Sequence, residues 1–84
     1  MTAKLPPPLS ERHQATLHLL SLFEYKHLPN TFLRGTSAIF HEAAHELVGR
    51  LHDGPELSAG LRKLVEAKDC CVRQAVIDFQ GKST

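Results

Sequence analysis

The chain has 84 residues, of which 42% are hydrophobic, 23% charged and 6% aromatic. A chain of this length buries at most about two-thirds of its surface, which excludes a second domain. Ten Lys and Arg against nine Asp and Glu give a net charge of +1, which excludes the broad basic surface of a dedicated duplex-DNA-binding protein. The apolar runs are far shorter than the ~20 residues that cross a bilayer, so we expect a soluble, cytoplasmic domain.

The beginning of the sequence predicts an extended leader followed by a short helix. Residues 1–9 include three consecutive prolines, which fix φ and supply no backbone donors. Ser10 is a favourable N-cap, and hydrophobic residues recur with helical spacing over residues 11–25. Pro29 and Asn30 then end this helix.

Two longer helices follow and are predicted to pair as an antiparallel hairpin. The second helix begins at Thr31 or at Thr36, since Gly35 weakens the first turn, and it continues to His52. The third helix covers residues 55–79, with a proline suited to its first position. No strand-like alternation is present, so the expected fold is all-α, with a short N-terminal helix and a long helical hairpin.

The expected domain covers residues 10–80, and residues 81–84 are expected to form a disordered tail. A three-helix domain of this size has a thin core. We therefore expect a homo-oligomer, in which Phe32, Leu51 and Phe79 face a partner subunit.

One motif on the second helix is typical of zinc peptidases. His41, Glu42 and His45 match H-E-x-x-H, in which two histidines one helical turn apart bind zinc and the glutamate activates water. Glu66 on the partner helix is a candidate third ligand, whereas His52 would lie roughly 16 Å from His41 on an unbroken helix. Such enzymes also need a substrate-aligning strand and a cleft, which the sequence does not predict, so we expect solvated histidines and no metal.

The two cysteines, Cys70 and Cys71, are adjacent and do not form a C-x-x-C site. Neighbouring cysteines do not readily cross-link distant segments. We therefore interpret them as small packing residues of the third helix.

Four segments together resemble a known family. Residues 23–29, 54–58, 61–67 and 75–77, with the long helix between the first two, are similar to the phage anti-CBASS cyclic-oligonucleotide sponges. These proteins share a helical-hairpin family with some anti-Thoeris sponges. The resemblance covers roughly residues 20–78.

The resemblance implies a non-enzymatic function. Members of the family are small helical proteins that form compact homo-oligomers, hexamers in the best-known branch. They bind cyclic nucleotides between protomers without cleaving them, in the cytoplasm of the infected bacterium, and so deprive the host's defence effector of its signal. No cofactor, duplex nucleic acid or membrane is implied as a partner.

The resemblance also implies ligand-binding residues. Tyr25 falls on the family's aromatic residue, which stacks on a base. His41 stands where relatives commonly carry Lys or Arg for the phosphate. Its imidazole can still donate a hydrogen bond to a phosphate, and Lys26 or Arg34 could supply that contact instead. Arg62 lies on the matched part of the third helix and is the candidate for a second, trinucleotide-type pocket.

The sequence is compatible with three classes of function. The first is a protein that sequesters a cyclic di- or trinucleotide, or a cyclised ADP-ribose signal. The second is a minimal zinc hydrolase built on His41, Glu42, His45 and Glu66. The third is a helical module that only binds other proteins.

Overall fold

The computed structural model describes residues 4–81, which contain three α-helices, one 3-10 turn and no strand. The elements are the 3-10 turn Leu9–Glu11 and helices α1 (Gln14–Ser21), α2 (Thr31–Arg50) and α3 (Pro55–Gly81). The expected all-α fold with a long helix pair is confirmed. Residues 1–3 of the expected leader and 82–84 of the expected tail lie outside the described residues.

Helix α1 is shorter than the sequence predicts. Its N-cap is His13, whose side chain accepts a hydrogen bond from the Ala15 amide at 3.0 Å, so the predicted cap at Ser10 is wrong. Ser10 lies in the 3-10 turn, and Arg12 between the two elements has an extended backbone. At the other end the chain leaves the helix after Ser21 and forms turns through the region where the sequence predicts helix.

Helix α2 begins at Thr31, which decides between the two predicted starts. The Asn30 side chain accepts hydrogen bonds from the amides of Phe32 and Leu33 at 2.7 and 3.3 Å. The Thr36 hydroxyl donates to the Phe32 carbonyl at 3.1 Å, one turn back inside the same helix. The helix ends at Arg50, two residues before the predicted end.

Helices α2 and α3 pack against each other, and residues 51–54 join them. A linker this short makes the two helices antiparallel. The segment before α1 contacts this linker through Arg12. The buried Arg12 side chain donates hydrogen bonds to the Val48 and Leu51 carbonyls and to the Asp53 carboxylate.

The core lies where α1 and the turn after it meet the hairpin. Among residues 4–81, one cluster of seven buried hydrophobic side chains forms it: Leu19, Leu20, Phe23, Ala44, Val48, Leu57 and Leu61. Phe23 and Leu61 are fully buried, and each such side chain contributes about 1.5–3 kcal/mol. The core therefore fixes the position of the turn that follows α1 against the middle of α2.

None of the described helices combines the length and hydrophobicity that a membrane-spanning segment requires.

Candidate functional site

The two histidines of the H-E-x-x-H motif lie side by side on α2. The ring centroids of His41 and His45 are 4.2 Å apart, and the ring planes are inclined by 39°. A spacing of four residues puts both side chains on one helical face. Both side chains are half-buried, so this flank of α2, which the sequence predicts to be solvated, is only partly exposed at the two histidines.

A carboxylate from another part of the chain joins these histidines. Glu24, in the turn after α1, places one potential ligand atom close to one from each ring, and the three atoms lie within 4.8 Å of one another. The Lys68 ammonium holds this turn by donating to the Leu22 carbonyl at 2.6 Å. The buried Phe23 ring, which lies 5.7 Å from the same ammonium, anchors the turn in the core.

The backbone of the turn also orients His41. Its Nδ1 lies 3.2 Å from the Phe23 carbonyl oxygen. A carbonyl oxygen only accepts hydrogen bonds, so Nδ1 carries the proton and donates it. In neutral imidazole this leaves the lone pair on Nε2.

His45 contains a polar atom with no partner. Its Nε2 is buried and makes no hydrogen bond to any described residue. Burial, followed by the neighbouring His41, lowers the pKa of His45, and the Glu24 carboxylate only partly opposes this effect. His45 is therefore neutral at physiological pH, which suits a ligand that binds through a nitrogen lone pair.

Tyr25 packs against His41 at the edge of the histidine pair. Its ring meets His41 edge-on, with centroids 5.1 Å apart and planes inclined by 70°. Tyr25 and His41, together with Glu42, His45 and Glu46, line an open hollow of about 560 Å³. The structure thus brings together two of the five residues that the family resemblance predicts as ligand-binding.

The three predicted basic residues stand apart from this pair. The Arg34 guanidinium donates to the Leu28 carbonyl at 2.7 Å and to the Thr31 hydroxyl at 3.2 Å, so it braces the start of α2. Lys26 is exposed beside Tyr25 in the chain, and Arg62 is exposed on α3. Neither Lys26 nor Arg62 is among the residues that line the hollow.

The candidate third metal ligands from the sequence do not join the histidines. Glu66 is exposed on α3. Among the described residues, the carboxylate grouped with His41 and His45 is that of Glu24 and not that of Glu66. His52 instead hydrogen-bonds the Lys4 carbonyl through Nε2 at 2.8 Å. Helix α2 continues through Gly49, so no break brings His52 back towards His41.

Both cysteines are exposed, so their interpretation as packing residues is wrong. The Cys70 sulfur accepts a hydrogen bond from Arg73 at 3.4 Å, one turn further along α3.

Sequence reasoning missed Glu24 because it extended α1 across that position. Residues on a continuous helix would follow the α1 axis, whereas the turn after Ser21 directs Glu24 towards α2. The sequence contains only a general indication of such a residue. A histidine pair at helical spacing needs a third ligand to bind zinc, and a neighbouring element can supply it.

Comparison with known proteins gives no relative for this chain: no family model, curated protein or solved structure matches it.

Proposed function

We propose that this protein binds and sequesters a cyclic di- or trinucleotide, or a cyclised ADP-ribose signal, without cleaving it. In this proposal it acts in the cytoplasm of a phage-infected bacterium, where it removes a second messenger of the anti-phage defence. The observation that carries the proposal is the edge-on contact of Tyr25 with His41 beside an open hollow. It supports the pairing of base contact and phosphate contact that the family resemblance implies.

The Tyr25 ring supplies the base contact. A nucleobase offers a π-face to any aromatic ring, and such stacking is worth about 1–3 kcal/mol per base. Tyr25 is half-buried and braced by His41, so it loses little side-chain freedom when a base stacks on it.

His41 supplies a polar contact to the ligand. The His41 Nδ1 atom donates a hydrogen bond to the Phe23 carbonyl. The second ring nitrogen, Nε2, is therefore the atom that can contact a ligand. A protonated ring donates from Nε2 to a phosphate oxygen, and the exposed Lys26, next to Tyr25 in the chain, carries a positive charge.

The two glutamates that line the hollow fit the base rather than the phosphate. Carboxylates accept hydrogen bonds from exocyclic amino groups such as those of cytosine and adenine. Glu42 and Glu46 are exposed along this wall and free to meet such groups. This arrangement favours a ligand that presents an amino-bearing base towards α2.

Self-association is the second part of the proposal. The radius of gyration is 15.0 Å, against about 12 Å for a compact domain of this length, and the chain measures 54 × 23 × 20 Å. Large hydrophobic side chains are exposed at the far end of α3, with Ile77 60% and Phe79 49% exposed. Burial of such side chains between copies supports a homo-oligomer, the hexamer of the resembled family being the form to test first.

Oligomerisation should also increase the affinity for the cyclic ligand. Useful sequestration of a signal present at about micromolar concentration requires a Kd of roughly 10 nM, or about 11 kcal/mol. One stacked base and one phosphate contact supply only part of this free energy. A ligand held between two protomers doubles the number of contacts.

The direct experiment is calorimetry of the purified chain against cyclic di- and trinucleotides and cyclised ADP-ribose signals, with the matching linear dinucleotides as controls. We expect at least one cyclic ligand to bind with a submicromolar Kd and to be recovered intact by chromatography. Native mass spectrometry of the same sample reports the number of chains and of ligands. Binding weaker than micromolar across the panel, or recovery of a cleaved ligand, would contradict the proposal.

A further inference from the structure

We infer that Glu24, His41 and His45 form a binding site for one divalent transition-metal ion, with zinc as the ion that best fits these ligands. The inference concerns the chain's own side chains and does not rest on nucleotide binding. The sequence predicts no metal here and offers Glu66 as the candidate carboxylate. In the proposed site the carboxylate is instead that of Glu24, in the turn after α1.

The spacing of the three ligand atoms fits a single ion after a small adjustment. At zinc–ligand distances of about 2.0–2.2 Å, two ligands of a tetrahedral ion lie about 3.3 Å apart. The three atoms here lie within 4.8 Å of one another. Glu24 is exposed and lies outside any helix, so its carboxylate can move without a change in α2, and small rotations of the three side chains would bring their ligand atoms to this spacing.

His41 already has the hydrogen bond typical of a metal-bound histidine. A ligating histidine usually donates its second ring N–H to a carbonyl or carboxylate, which fixes the tautomer and the ring orientation. The Phe23 carbonyl, held in the core next to Glu24, accepts that bond at 3.2 Å. The Nε2 lone pair of His41 is therefore preformed for a metal.

His45 provides the second, independent observation. A buried polar atom without a partner costs free energy and is rare in folded proteins. Among the described side chains, Nε2 of His45 is the only such atom, and His45 belongs to the same group of three residues. A metal ion bound to this nitrogen would satisfy it.

The hollow beside the two histidines presents carboxylates to a cation. The residues lining the hollow include the carboxylates of Glu42 and Glu46 and, within the described chain, no Lys or Arg. Glu24 adds a third carboxylate beside the two imidazoles, and it also lines a separate hollow that contains Lys68 and Arg73. Nitrogen and oxygen ligands in this mixture are those of zinc rather than of calcium or magnesium, which prefer oxygen alone.

The test measures zinc binding to the protein alone, made without a histidine tag and freed of metal with a chelator. We expect calorimetry and elemental analysis after dialysis to give one Zn²⁺ per chain. Replacement of zinc by Co²⁺ should give the visible absorption of a low-symmetry, nitrogen- and oxygen-ligated ion. Glu24→Gln and His45→Ala should each weaken zinc binding at least tenfold.

Matched controls separate this site from the other histidines and carboxylates. His52→Ala and Glu66→Gln remove the same kinds of side chain outside the proposed site and should leave zinc affinity within twofold of the wild type. Circular dichroism checks each fold, and Glu24→Gln changes only one exposed atom, so it reports on the site even if His45→Ala unfolds. The inference is wrong if wild type binds no zinc, if Glu24→Gln binds it as tightly as wild type, or if Glu66→Gln is the variant that loses it.

Discussion

Arg12 and Asp53, 41 residues apart in the sequence, form an ion pair that fastens the N-terminal segment to the hairpin linker. The Arg12 Nη2 atom lies 2.9 Å from the Asp53 Oδ1 atom, and the Arg12 side chain is 1% exposed. The same carboxylate accepts hydrogen bonds from the His13 amide at 2.8 Å and from the Thr16 hydroxyl at 2.7 Å. The guanidinium also satisfies two carbonyls at the end of α2.

Loss of this guanidinium should destabilise the fold. In Arg12→Met the Val48 and Leu51 carbonyls lose their donor, and a buried acceptor left without a partner costs about 1–3 kcal/mol. We expect urea unfolding to show a loss of that size. Arg62→Met is the matched control, because Arg62 is exposed and its loss should change stability by no more than about 0.5 kcal/mol. Equal stabilities for the two variants would contradict the structural role of Arg12.

The Asp53 carboxylate should make the stability of the fold depend on pH. The His13 amide, followed by the Thr16 hydroxyl and the Arg12 side chain, lowers the pKa of Asp53 below its ordinary value of 3.8. A carboxyl group with a lowered folded-state pKa binds fewer protons when folded than when unfolded, so its contribution is complete above pH 3.8. That contribution is lost as the pH falls from 3.8 through the lower folded-state pKa.

Asp53→Asn should therefore reduce the acid sensitivity of the protein. Thermal unfolding measured from neutral pH to below pH 3 should show a smaller decrease in Tm for this variant than for wild type. Asp69→Asn is the control, since Asp69 is half exposed and its contact to Lys68 is 3.9 Å long. The prediction fails if Asp53→Asn retains the full acid dependence.

The long helices were predictable because their signals are local. Asn30 caps the amides two and three residues further on, and Pro55 stands at the first position of α3, so both helix starts have signals in neighbouring residues. The His41–His45 pair is equally local, since a spacing of four residues on a helix makes two side chains neighbours.

The site beyond this pair depends on tertiary structure. Glu24 reaches the histidines because the chain leaves α1 at Ser21. The backbone at Arg12 is extended before α1, and its side chain binds Asp53. Both relationships join residues far apart in the sequence. Neither has a spacing or composition signal, so helical periodicity alone predicted a longer first helix.

The Tyr25 ring should be needed for nucleotide binding but not for folding. In Tyr25→Leu the stacking surface is lost, and we expect the Kd for the cyclic ligand to rise about 5- to 150-fold, which corresponds to 1–3 kcal/mol. Tyr25→Phe keeps the ring and should bind within about threefold of wild type. Calorimetry with both variants is the measurement, and equal affinity of Tyr25→Leu and wild type would exclude stacking at this residue.

The exposed end of α3 should carry the oligomer contact. Ile77→Glu places a charge on a side chain that is 60% exposed, so the helix itself is expected to tolerate it. Sedimentation at micromolar concentration should then show a smaller species than wild type. Gln14→Glu introduces the same charge at an exposed position on α1 and should leave the oligomer intact. A monomeric wild type, or an unchanged oligomer in Ile77→Glu, would contradict the proposed contact.

The proposed zinc and nucleotide sites both use Nε2 of His41, so with Zn²⁺ bound the phosphate would contact the metal ion in place of this nitrogen, and the two affinities should depend on each other. Without a metal, the carboxylates of Glu24, Glu42 and Glu46 repel a phosphate near this residue. A bound Zn²⁺ offsets that negative charge, and three protein ligands leave a fourth coordination position for an anionic oxygen.

We therefore expect the cyclic ligand to bind about 5- to 150-fold more tightly in the presence of Zn²⁺ than in the presence of a chelator, the range of an ordinary coupling between two sites. By reciprocity, saturating nucleotide should tighten zinc binding by the same factor. Calorimetric titrations in both orders measure the two factors. Glu24→Gln is the decisive variant, because it should abolish the coupling while leaving nucleotide affinity in chelator no weaker than that of wild type, since one repelling charge is gone. Weaker nucleotide binding with Zn²⁺ than with chelator would mean that the metal and the ligand compete for His41, and the cooperative arrangement would be wrong.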